Sequence, residues 1–199
     1  LACADEPGHP LNARQLESFQ EVAALFGGVD SSISNSAGIA LGPAYRMSLT
    51  RPGIALYGAP PVEAMRPHLR PVVTARARIL QLRHVAAGGT VGYGAAARVR
   101  RDSLLAVTGA GYADGLFRGA SGAGVPLRES GAPGASGWIA GHRVPVIGRV
   151  SMDLTIFDVT DVPVGALAEG DFIELFGANI PIEAFAAAAG TIPYEVLTS

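Results

Sequence analysis

Val72-Val73-Thr74-Ala75-Arg76-Ala77-Arg78-Ile79-Leu80-Gln81-Leu82 alternates apolar and polar side chains over much of its length. Successive side chains of a β-strand point to opposite faces, so this alternation is typical of a strand with one face buried. Further strand-like runs follow at 103–108, 137–147, 151–158 and 171–176. Ala140-Gly141 interrupts the second of these runs and predicts the tip of a hairpin. We therefore expect residues 69–199 to form a β-rich C-terminal domain.

The chain before this domain has a different pattern. Residues 11–26 repeat apolar side chains at helical spacing, and Gly27-Gly28 ends the predicted helix. Residues 31–39 predict a short strand that leads through a polar loop to a helix start, and 45–58 predict another strand. Helix, strand, loop and strand in this order suggest the end of an α/β unit with a parallel sheet. The prolines between 60 and 71 then predict a linker.

Two segments inside the C-terminal part differ from their surroundings. Residues 119–136 are rich in Gly, Ala, Ser and Pro, and we interpret them as an excursion from the sheet. Residues 181–189 predict a helix that has a proline in its first turn and is ended by Gly190.

Composition excludes several classes of protein. The chain is 49% hydrophobic and 16% charged, which describes a globular and not a disordered protein. Its net charge of −2 does not show the excess of positive charge that is typical of proteins that bind nucleic acid. No apolar run approaches the ~18–20 residues of a membrane span, and the first residues lack the regions of a signal peptide. A single cysteine, Cys3, excludes an internal disulfide and predicts a cytoplasmic protein.

No lysine occurs in the sequence, so all 15 Lys and Arg residues are arginine. A Schiff base needs an amine side chain, and this polypeptide cannot supply one. Because the chain also begins at Leu1 without a methionine, we expect it to be a piece of a longer protein.

Two loops of the N-terminal part suit an anionic ligand group. Arg51-Pro52-Gly53-Ile54 places a guanidinium beside a turn whose backbone amides can be free. Asn35-Ser36-Ala37-Gly38 leads into a helix N-terminus, which also favours an anion. Each loop alone fits an ordinary strand end or helix cap equally well. Their occurrence in one α/β segment favours an anion between them.

Gly109-Ala110-Gly111-Tyr112-Ala113-Asp114-Gly115 presents one tyrosine after the run 103–108. The glycines allow a tight turn and close approach to a ligand, and Asp114 can hydrogen-bond the turn. The segment fits either a tyrosine that takes part in catalysis or, more commonly, an ordinary turn at the end of a strand.

At another strand end, Arg149-Val150-Ser151-Met152-Asp153 fits either a carboxylate site or a structural corner. Tyr194 fits either a core tyrosine or a phenolic donor to a ligand. Other chemistries have less support, because the four histidines are scattered singly and Gly-x-Ser-x-Gly is absent. The glycine-rich run 88–94 lies between strand-like segments, which does not suit a dinucleotide fingerprint.

Six segments of the chain resemble one family, the fold-type III alanine racemases, which depend on pyridoxal 5'-phosphate (PLP). The segments are Asn35-Ser36-Ala37, Arg51-Pro52-Gly53-Ile54 with Leu56-Tyr57-Gly58, Val91-Gly92-Tyr93-Gly94, Gly111-Tyr112-Ala113-Asp114-Gly115, Gly148-Arg149-Val150-Ser151-Met152-Asp153, and Thr191-Ile192-Pro193-Tyr194-Glu195-Val196-Leu197-Thr198. They follow the family's order and approximate spacing. The resemblance implies a (β/α)₈ (TIM) barrel that holds the cofactor, followed by a β-rich domain. Residues 1–65 would be the last βα units of the barrel, and 69–199 the second domain.

The resemblance also implies roles for single residues in binding the cofactor. Four of them would hold the PLP phosphate: Ser36, Gly53, Ile54 and Tyr194. Arg51 would face the pyridine nitrogen, which then stays unprotonated because a guanidinium does not readily accept a proton. This makes PLP a weaker electron sink and restrains side reactions. Ser32 stands where the family usually has a histidine.

Other matched residues would act on the substrate. Tyr112 would be one of two catalytic bases, working in the active site of the partner subunit of a homodimer. The lysine that anchors PLP, absent from this chain, would be the other. The Met152 amide would bind the substrate carboxylate with Asp153 nearby, and Arg149 and Ile192 would line the access channel.

The implied activity is that of an isomerase that interconverts L- and D-alanine, the D form being used for cell-wall peptidoglycan. We expect the isolated chain to be inactive, since it cannot anchor the cofactor. The excursion at 119–136 lacks a tyrosine that the family often has at the channel mouth. Two alternatives remain open: a non-catalytic β-barrel module for binding or dimerisation, and a racemase for serine or a broader set of amino acids.

Overall fold

The computed structural model describes residues 1–125 and 134–199 and divides the chain into two units, Leu1–Val72 and Val73–Ser199. The first unit contains helices α1 (Leu11–Ala23) and α2 (Ser36–Ala40). It also contains three 3₁₀-helices, at Pro43–Tyr45, Ile54–Tyr57 and Glu63–His68. The predicted helix at 11–26 is thus present but ends three residues earlier.

The strands predicted at 31–39 and 45–58 are not assigned as strands. The two segments nevertheless lie side by side, because Leu49 N donates to Ser31 O at 3.2 Å and Arg51 N donates to Ser34 O at 3.0 Å. Residue numbers rise together along both segments, so they run parallel, as an α/β unit requires. One segment advances by three residues while the other advances by two, and no regular ladder forms.

The predicted proline-rich linker is wrong for its first half, which packs onto the first unit. Val62 is buried in a small apolar cluster with Ala4 and Ala37, and the 3₁₀-helix Glu63–His68 follows it. The prolines restrict the backbone, but the burial of Val62 decides where this segment lies.

The second unit is built on a six-stranded antiparallel sheet in the order β6-β5-β8-β1-β4-β7. Its strands are β1 (Ala75–Val85), β4 (Ser103–Thr108), β5 (Ser136–Ile139), β6 (His142–Pro145), β7 (Thr155–Asp158) and β8 (Phe172–Phe176), while β2 (Thr90–Val91) and β3 (Ala97–Arg98) form a separate ribbon. The 3₁₀-helices are Tyr93–Ala95, Tyr112–Asp114 and Arg118–Ala120, and the α-helices are α3 (Ile182–Ala189) and α4 (Pro193–Thr198).

The long strand β1 changes neighbour along its length. Its first residues, Ala75–Arg78, pair with β8, and its later residues pair with β4, with an irregularity between Ile79 and Gln81. At the two ends of the sheet, β6 and β7 approach each other. Val146 forms a bridge with Phe157, and Ile147 N donates to Ile156 O at 2.9 Å. The sheet is therefore a nearly closed barrel.

The interior of this barrel holds the main core. Ile79, Phe157 and Ile173 are each no more than 1% exposed and come from three different strands. The aromatic rings of Phe176 and Phe185 then extend the core to α3, with their centroids 5.7 Å apart. In β1, Ala77 and Ile79 thus point inward, as the alternation predicts, whereas Leu80, at the irregularity between Ile79 and Gln81, is 51% exposed.

Several predicted elements of this unit are confirmed. The strand at 103–108 has the predicted bounds, and Ala140-Gly141 is the hairpin tip between β5 and β6, where Ile139 pairs with His142. Both tip residues have positive φ, +49° and +82°, as a two-residue hairpin turn of the primed type requires. Helix α3 ends at Gly190, which adopts φ +76°.

Other predictions need correction. The strand predicted at 151–158 begins only at Thr155, because the Ser151 hydroxyl accepts from Leu154 N at 3.2 Å and donates to Leu154 O at 2.9 Å. This local turn satisfies groups that a strand would pair with a neighbour. Helix α4 lies in a stretch for which no helix was predicted. Of the predicted excursion at 119–136, residues 126–133 lie outside the described residues.

Glu174 fixes the turn between β8 and α3. Its Oε1 accepts from Asn179 N at 2.7 Å and Ile180 N at 3.0 Å, and its Oε2 accepts from Asn179 Nδ2 at 2.8 Å. Burial alone would raise the pKa of this carboxyl, but the hydrogen bonds from Asn179 and Ile180 outweigh it and lower the pKa of Glu174. The carboxylate is therefore a structural anion of the turn.

Candidate functional site

The first group of site residues surrounds the hydroxyl of Ser36, at the start of α2. Ser36 is buried, and its Oγ accepts from Gly53 N at 2.8 Å and from Ala55 N at 3.3 Å. Because the oxygen accepts both amides, its own hydrogen remains available, and no described residue accepts it. Asn35 caps the same helix by accepting from Gly38 N at 2.9 Å.

The amide of Ile54 lies between the amides of Gly53 and Ala55, which both donate to this hydroxyl. It begins the 3₁₀-helix Ile54–Tyr57 and donates to none of the described residues. Gly53, before it, is exposed and has no atom within 4 Å of where a Cβ would lie. A free hydroxyl hydrogen, a free amide and an open space beside them form a donor set that suits a phosphate oxygen.

Arg51 belongs to the same loop and is held at both ends. Its backbone N donates to Ser34 O at 3.0 Å, and its Nη1 donates to the Ser32 hydroxyl. A guanidinium offers only donors, so this contact fixes the side chain without changing its charge. The sequence placed Ser32 at a family histidine position but gave it no role, and its contact with Arg51 is a feature that the motifs did not reveal.

Tyr112 opens a 3₁₀-helix directly after the end of β4 and is 43% exposed. Its backbone is tied firmly: Tyr112 N donates to Ser151 O and Ala113 N donates to Met152 O, both at 2.9 Å. Asp114 accepts from Gly111 N at 2.9 Å, which confirms the predicted support of the turn. No residue in the described ranges hydrogen-bonds the phenol. The turn thus holds the backbone and leaves the hydroxyl free.

Close approach of two backbones explains the glycine before the tyrosine. A Cβ on Gly111 would lie 2.2 Å from Met152 O and 2.5 Å from Asp153 N. Only a residue without a side chain lets the two loops meet in this way. Gly111 therefore brings Tyr112 next to Met152 and Asp153.

A cleft of about 360 Å³ lies between these loops. Its lining consists of Tyr93, Tyr112, Arg118, Arg149, Val150, Ser151, Met152 and Asp153. The amides of Met152 and Asp153 donate to no described residue, and Met152 is 54% exposed. Two arginines and two free amides in one cleft suit a carboxylate.

Arg149 is placed in this cleft by its neighbours in the chain. Val150 N donates to the Ser121 hydroxyl at 3.0 Å, and Gly148 O accepts from Gly122 N at 2.8 Å. The guanidinium is half-buried, its Nε is buried, and none of the described residues accepts a hydrogen bond from it. The side chain is therefore oriented by packing and has donors to offer.

The structure groups the predicted site residues by unit. Tyr112, Arg149, Met152 and Asp153 meet in the second unit, and Ser36, Arg51, Gly53 and Ile54 share one loop system in the first. Tyr194 and Ile192 belong to the second unit, at the start of α4, where both are exposed. The sequence motifs assigned no role to Tyr93 and Arg118, although both line the cleft. Their side chains reach it from loops that are distant in sequence.

In residues 1–125 and 134–199, no helix is long and apolar enough to cross a membrane. Within the same ranges, no group of three or more His, Cys, Asp or Glu side chains has the geometry of a metal site.

Comparison with family models divides the chain as follows. Residues 1–61 match the model described as "Alanine racemase, N-terminal domain", and residues 72–199 match "Alanine racemase, C-terminal domain". The second match alone covers more than half of the chain.

Individual proteins agree with these models. The chain is 58% identical over 198 residues to "Alanine racemase, biosynthetic" of Agrobacterium fabrum, covering 100% of the chain and 51% of that relative. It is 40% identical to "Alanine racemase, catabolic" of Mesorhizobium japonicum, covering 100% of the chain and 49% of that protein. The chain thus spans about half the length of the curated relatives it matches.

A solved structure is similar over the whole chain. The alanine racemase of Bartonella henselae, described with covalently bound pyridoxal phosphate, superposes with a TM-score of 0.83 at 38% identity. The match covers 100% of this chain and 52% of that one. The predicted fold, the last part of a (β/α)₈ barrel followed by a β-rich domain, is confirmed by this similarity and by the two family models.

Proposed function

The chain belongs to the alanine racemase family, and on that premise we propose that the protein of which it is a part interconverts L- and D-alanine. The observation that carries the proposal is Tyr112. Its backbone is fixed on a glycine turn at the edge of a cleft, and the residue as a whole is 43% exposed. No residue in the described ranges hydrogen-bonds its hydroxyl. A phenol in this state can take or give a proton at a bound substrate.

The first unit fits the phosphate of PLP. The buried Ser36 hydroxyl keeps its hydrogen for an anion, and the free Ile54 amide lies beside it. We propose that the PLP phosphate is held by Ser36, Gly53, Ile54 and Tyr194. When bound, PLP supplies an electron sink that makes the α-proton of an amino acid easier to remove. We propose that Arg51, fixed by Ser32, faces the ring nitrogen and gives it no proton.

The cleft residues would bind and orient the substrate. The free amide of Met152 would receive the substrate carboxylate, with Asp153 beside it and Arg149 at the channel. Racemisation needs one group to remove the α-proton from one face and another to deliver a proton to the opposite face. Tyr112 would serve one face. The chain has no lysine, so the second group must be supplied from outside these residues.

The assembly and location are also proposals. We propose a homodimer in which Tyr112 acts in the active site of the partner subunit, supported by the exposure of its unpaired phenol. We propose that the enzyme works in the cytoplasm, in keeping with its single cysteine, and that it supplies D-alanine for peptidoglycan. The higher identity to a biosynthetic relative, 58% against 40% for a catabolic one, supports this use.

The alternatives have less support. A purely structural module would have Tyr112 buried with its hydroxyl tied into the core, whereas its side chain is exposed and unpaired in the described structure. Serine or a broader set of amino acids remains the alternative substrate, whereas the two relatives described above are named for alanine.

The test uses the complete protein, purified with PLP and supplied with either enantiomer of alanine in deuterated water. Tyr112→Phe should lower the rate of racemisation by about 10²–10⁴-fold, the usual contribution of a positioned proton-transfer group. It should also retain exchange of the α-hydrogen in one enantiomer only. Tyr57→Phe, which changes an exposed tyrosine of the first unit, should leave both rates unchanged.

The two measurements separate the outcomes. Loss of racemisation with exchange retained for one enantiomer supports a two-base reaction with Tyr112 on one face. If the Tyr112→Phe protein racemises alanine at the original rate, Tyr112 takes no part in the proton transfer, and the proposal is contradicted.

A further inference from the structure

The tip of the β2–β3 ribbon has an unusual backbone. Gly92, Gly94 and Ala95 have φ of +75°, +70° and +48°, so three of four consecutive residues are in the left-handed region. Alanine rarely adopts this conformation, and such residues persist only where their surroundings enforce them. The tip also presents Tyr93, which is 74% exposed, to the cleft that contains Tyr112.

Two glycines of this tip lie against Arg149. A Cβ placed on Gly94 would lie 3.3 Å from Arg149 Nη1 and 3.8 Å from Cζ, which is tighter than ordinary contact at the first atom. A Cβ on Gly92 would lie 3.4 Å from the Arg149 backbone N. The bare backbone of the tip therefore forms the surface on which the guanidinium rests.

Among the described residues, no hydrogen bond competes with this packing. Arg149 Nε is buried without a partner, and no described residue accepts from the other guanidinium nitrogens. A long arginine side chain that lacks hydrogen bonds has several rotamers open to it, and packing must select one. Among the described residues, the backbone at Gly94 lies close to the planar group, and Tyr93 lines the same cleft.

We propose that Gly94 is a positioning residue, which holds the Arg149 guanidinium at the mouth of the cleft, directed to the carboxylate of the amino-acid substrate. The substrate part rests on the proposed function, whereas the positioning part is a statement about packing. A Cβ at Gly94 would require the guanidinium to shift by a few tenths of an ångström. We expect this shift to weaken substrate binding and to leave the proton transfer at Tyr112 unaffected.

The test compares Gly94→Ala with Gly141→Ala in the complete protein. Gly141 has φ of +82° and no atom within 4 Å of its Cβ position, so this control imposes similar backbone strain without touching Arg149. Should Gly94→Ala fold poorly, Gly94→Asn serves instead, because asparagine tolerates the left-handed region better.

Two readouts are measured on each variant. The first is the rate at which phenylglyoxal labels Arg149, followed by peptide mass spectrometry, which needs no activity. Labelling should rise several-fold in Gly94→Ala and stay unchanged in Gly141→Ala. The second is steady-state kinetics with alanine, in which KM should rise about tenfold, the value of one charge-assisted hydrogen bond, with kcat within about twofold.

A double-mutant cycle with Arg149→Ala completes the test. If Gly94 acts through Arg149, Gly94→Ala should add nothing to the KM of the Arg149→Ala protein, whereas independent effects would multiply. Unchanged labelling in Gly94→Ala, or multiplied effects in the cycle, would overturn the inference. If labelling rises but Arg149→Ala leaves KM unchanged, the role of Arg149 in the proposed function fails, and the substrate part of the inference fails with it.

Discussion

The loop system around Ser36 and the cleft around Tyr112 handle their polar groups in opposite ways. In the first, the side chains themselves are tied: Ser36 Oγ accepts two amides, and Arg51 donates to Ser32. In the second, the backbone beside the two candidate groups is tied, but the side chains of those groups are not. Tyr112 N and Ala113 N donate to the Ser151–Met152 backbone, while the Tyr112 and Arg149 side chains have no partner among the described residues.

This difference matches the two tasks that we propose. A group that only holds a fixed anion benefits from donors that do not move, since a prearranged site loses little entropy on binding. A group that transfers a proton must be free to exchange it with the substrate, so an internal partner would compete. The contrast leads to three predictions about stability, each measured by denaturant unfolding of the complete protein.

The largest effect is expected from a methyl group at the point where the two cleft loops meet. Gly111→Ala would place Cβ 2.2 Å from Met152 O, a backbone atom that cannot swing aside, and should destabilise the fold by about 3 kcal/mol or more. Gly53→Ala is the matched change in the other region, where no atom lies within 4 Å, and should cost less than about 1 kcal/mol. Equal costs would contradict the close approach at Gly111.

The next effect tests the contrast between tied and free side chains directly. Ser36→Ala leaves two amides of a buried site without an acceptor and should lower the free energy of unfolding by about 1–3 kcal/mol. Tyr112→Phe removes a hydroxyl that has no described partner and should change it by no more than about 0.5 kcal/mol. A larger loss from Tyr112→Phe than from Ser36→Ala would reverse the comparison.

The smallest effect concerns Glu174, which is tied like Ser36 but lies in the second unit. Its pKa is lowered from the usual 4.5, because hydrogen bonds from Asn179 and Ile180 outweigh the burial that alone would raise it. A lowered folded pKa adds stability that is complete above the unfolded value and is lost as pH falls through the folded value. Glu174→Gln should cost about 1 kcal/mol at pH 7 and flatten the loss of stability below pH 4.5.

The pH profiles decide this last case. Wild-type and Glu174→Gln proteins should converge in stability as the pH drops below the carboxyl range, since the wild type then loses the same charge. Parallel profiles down to the lowest pH would show that the Glu174 carboxylate is not what the turn depends on.

Local patterns in the sequence predicted much of the second unit. The run Ser103–Thr108 and the tip Ala140-Gly141 were predicted correctly, because alternation and turn preference act between near neighbours. The six motifs together also identified the family. The identification came from the resemblance of all six together, since each motif alone fitted an ordinary strand end, helix cap or turn equally well or better.

The failures share a physical cause, which is dependence on distant partners. The segments 31–39 and 45–58 look like strands, but a ladder needs regular pairing, and their two hydrogen bonds do not keep register. Burial of Val62 against Ala4 could not be read from prolines. The packing of Arg149 against Gly94 joins residues that are 55 positions apart, and no local pattern in either segment predicts it.

The approach of β6 to β7 has a consequence for how the protein can assemble. An open sheet leaves two rows of unpaired amides and carbonyls on which another chain can add a strand. In this six-stranded sheet the two end strands meet through the Val146–Phe157 bridge and the Ile147–Ile156 hydrogen bond. Among the described residues, that border of the sheet is therefore partly paired already, and the homodimer that we propose would form through loops and side chains, such as those that surround Tyr112.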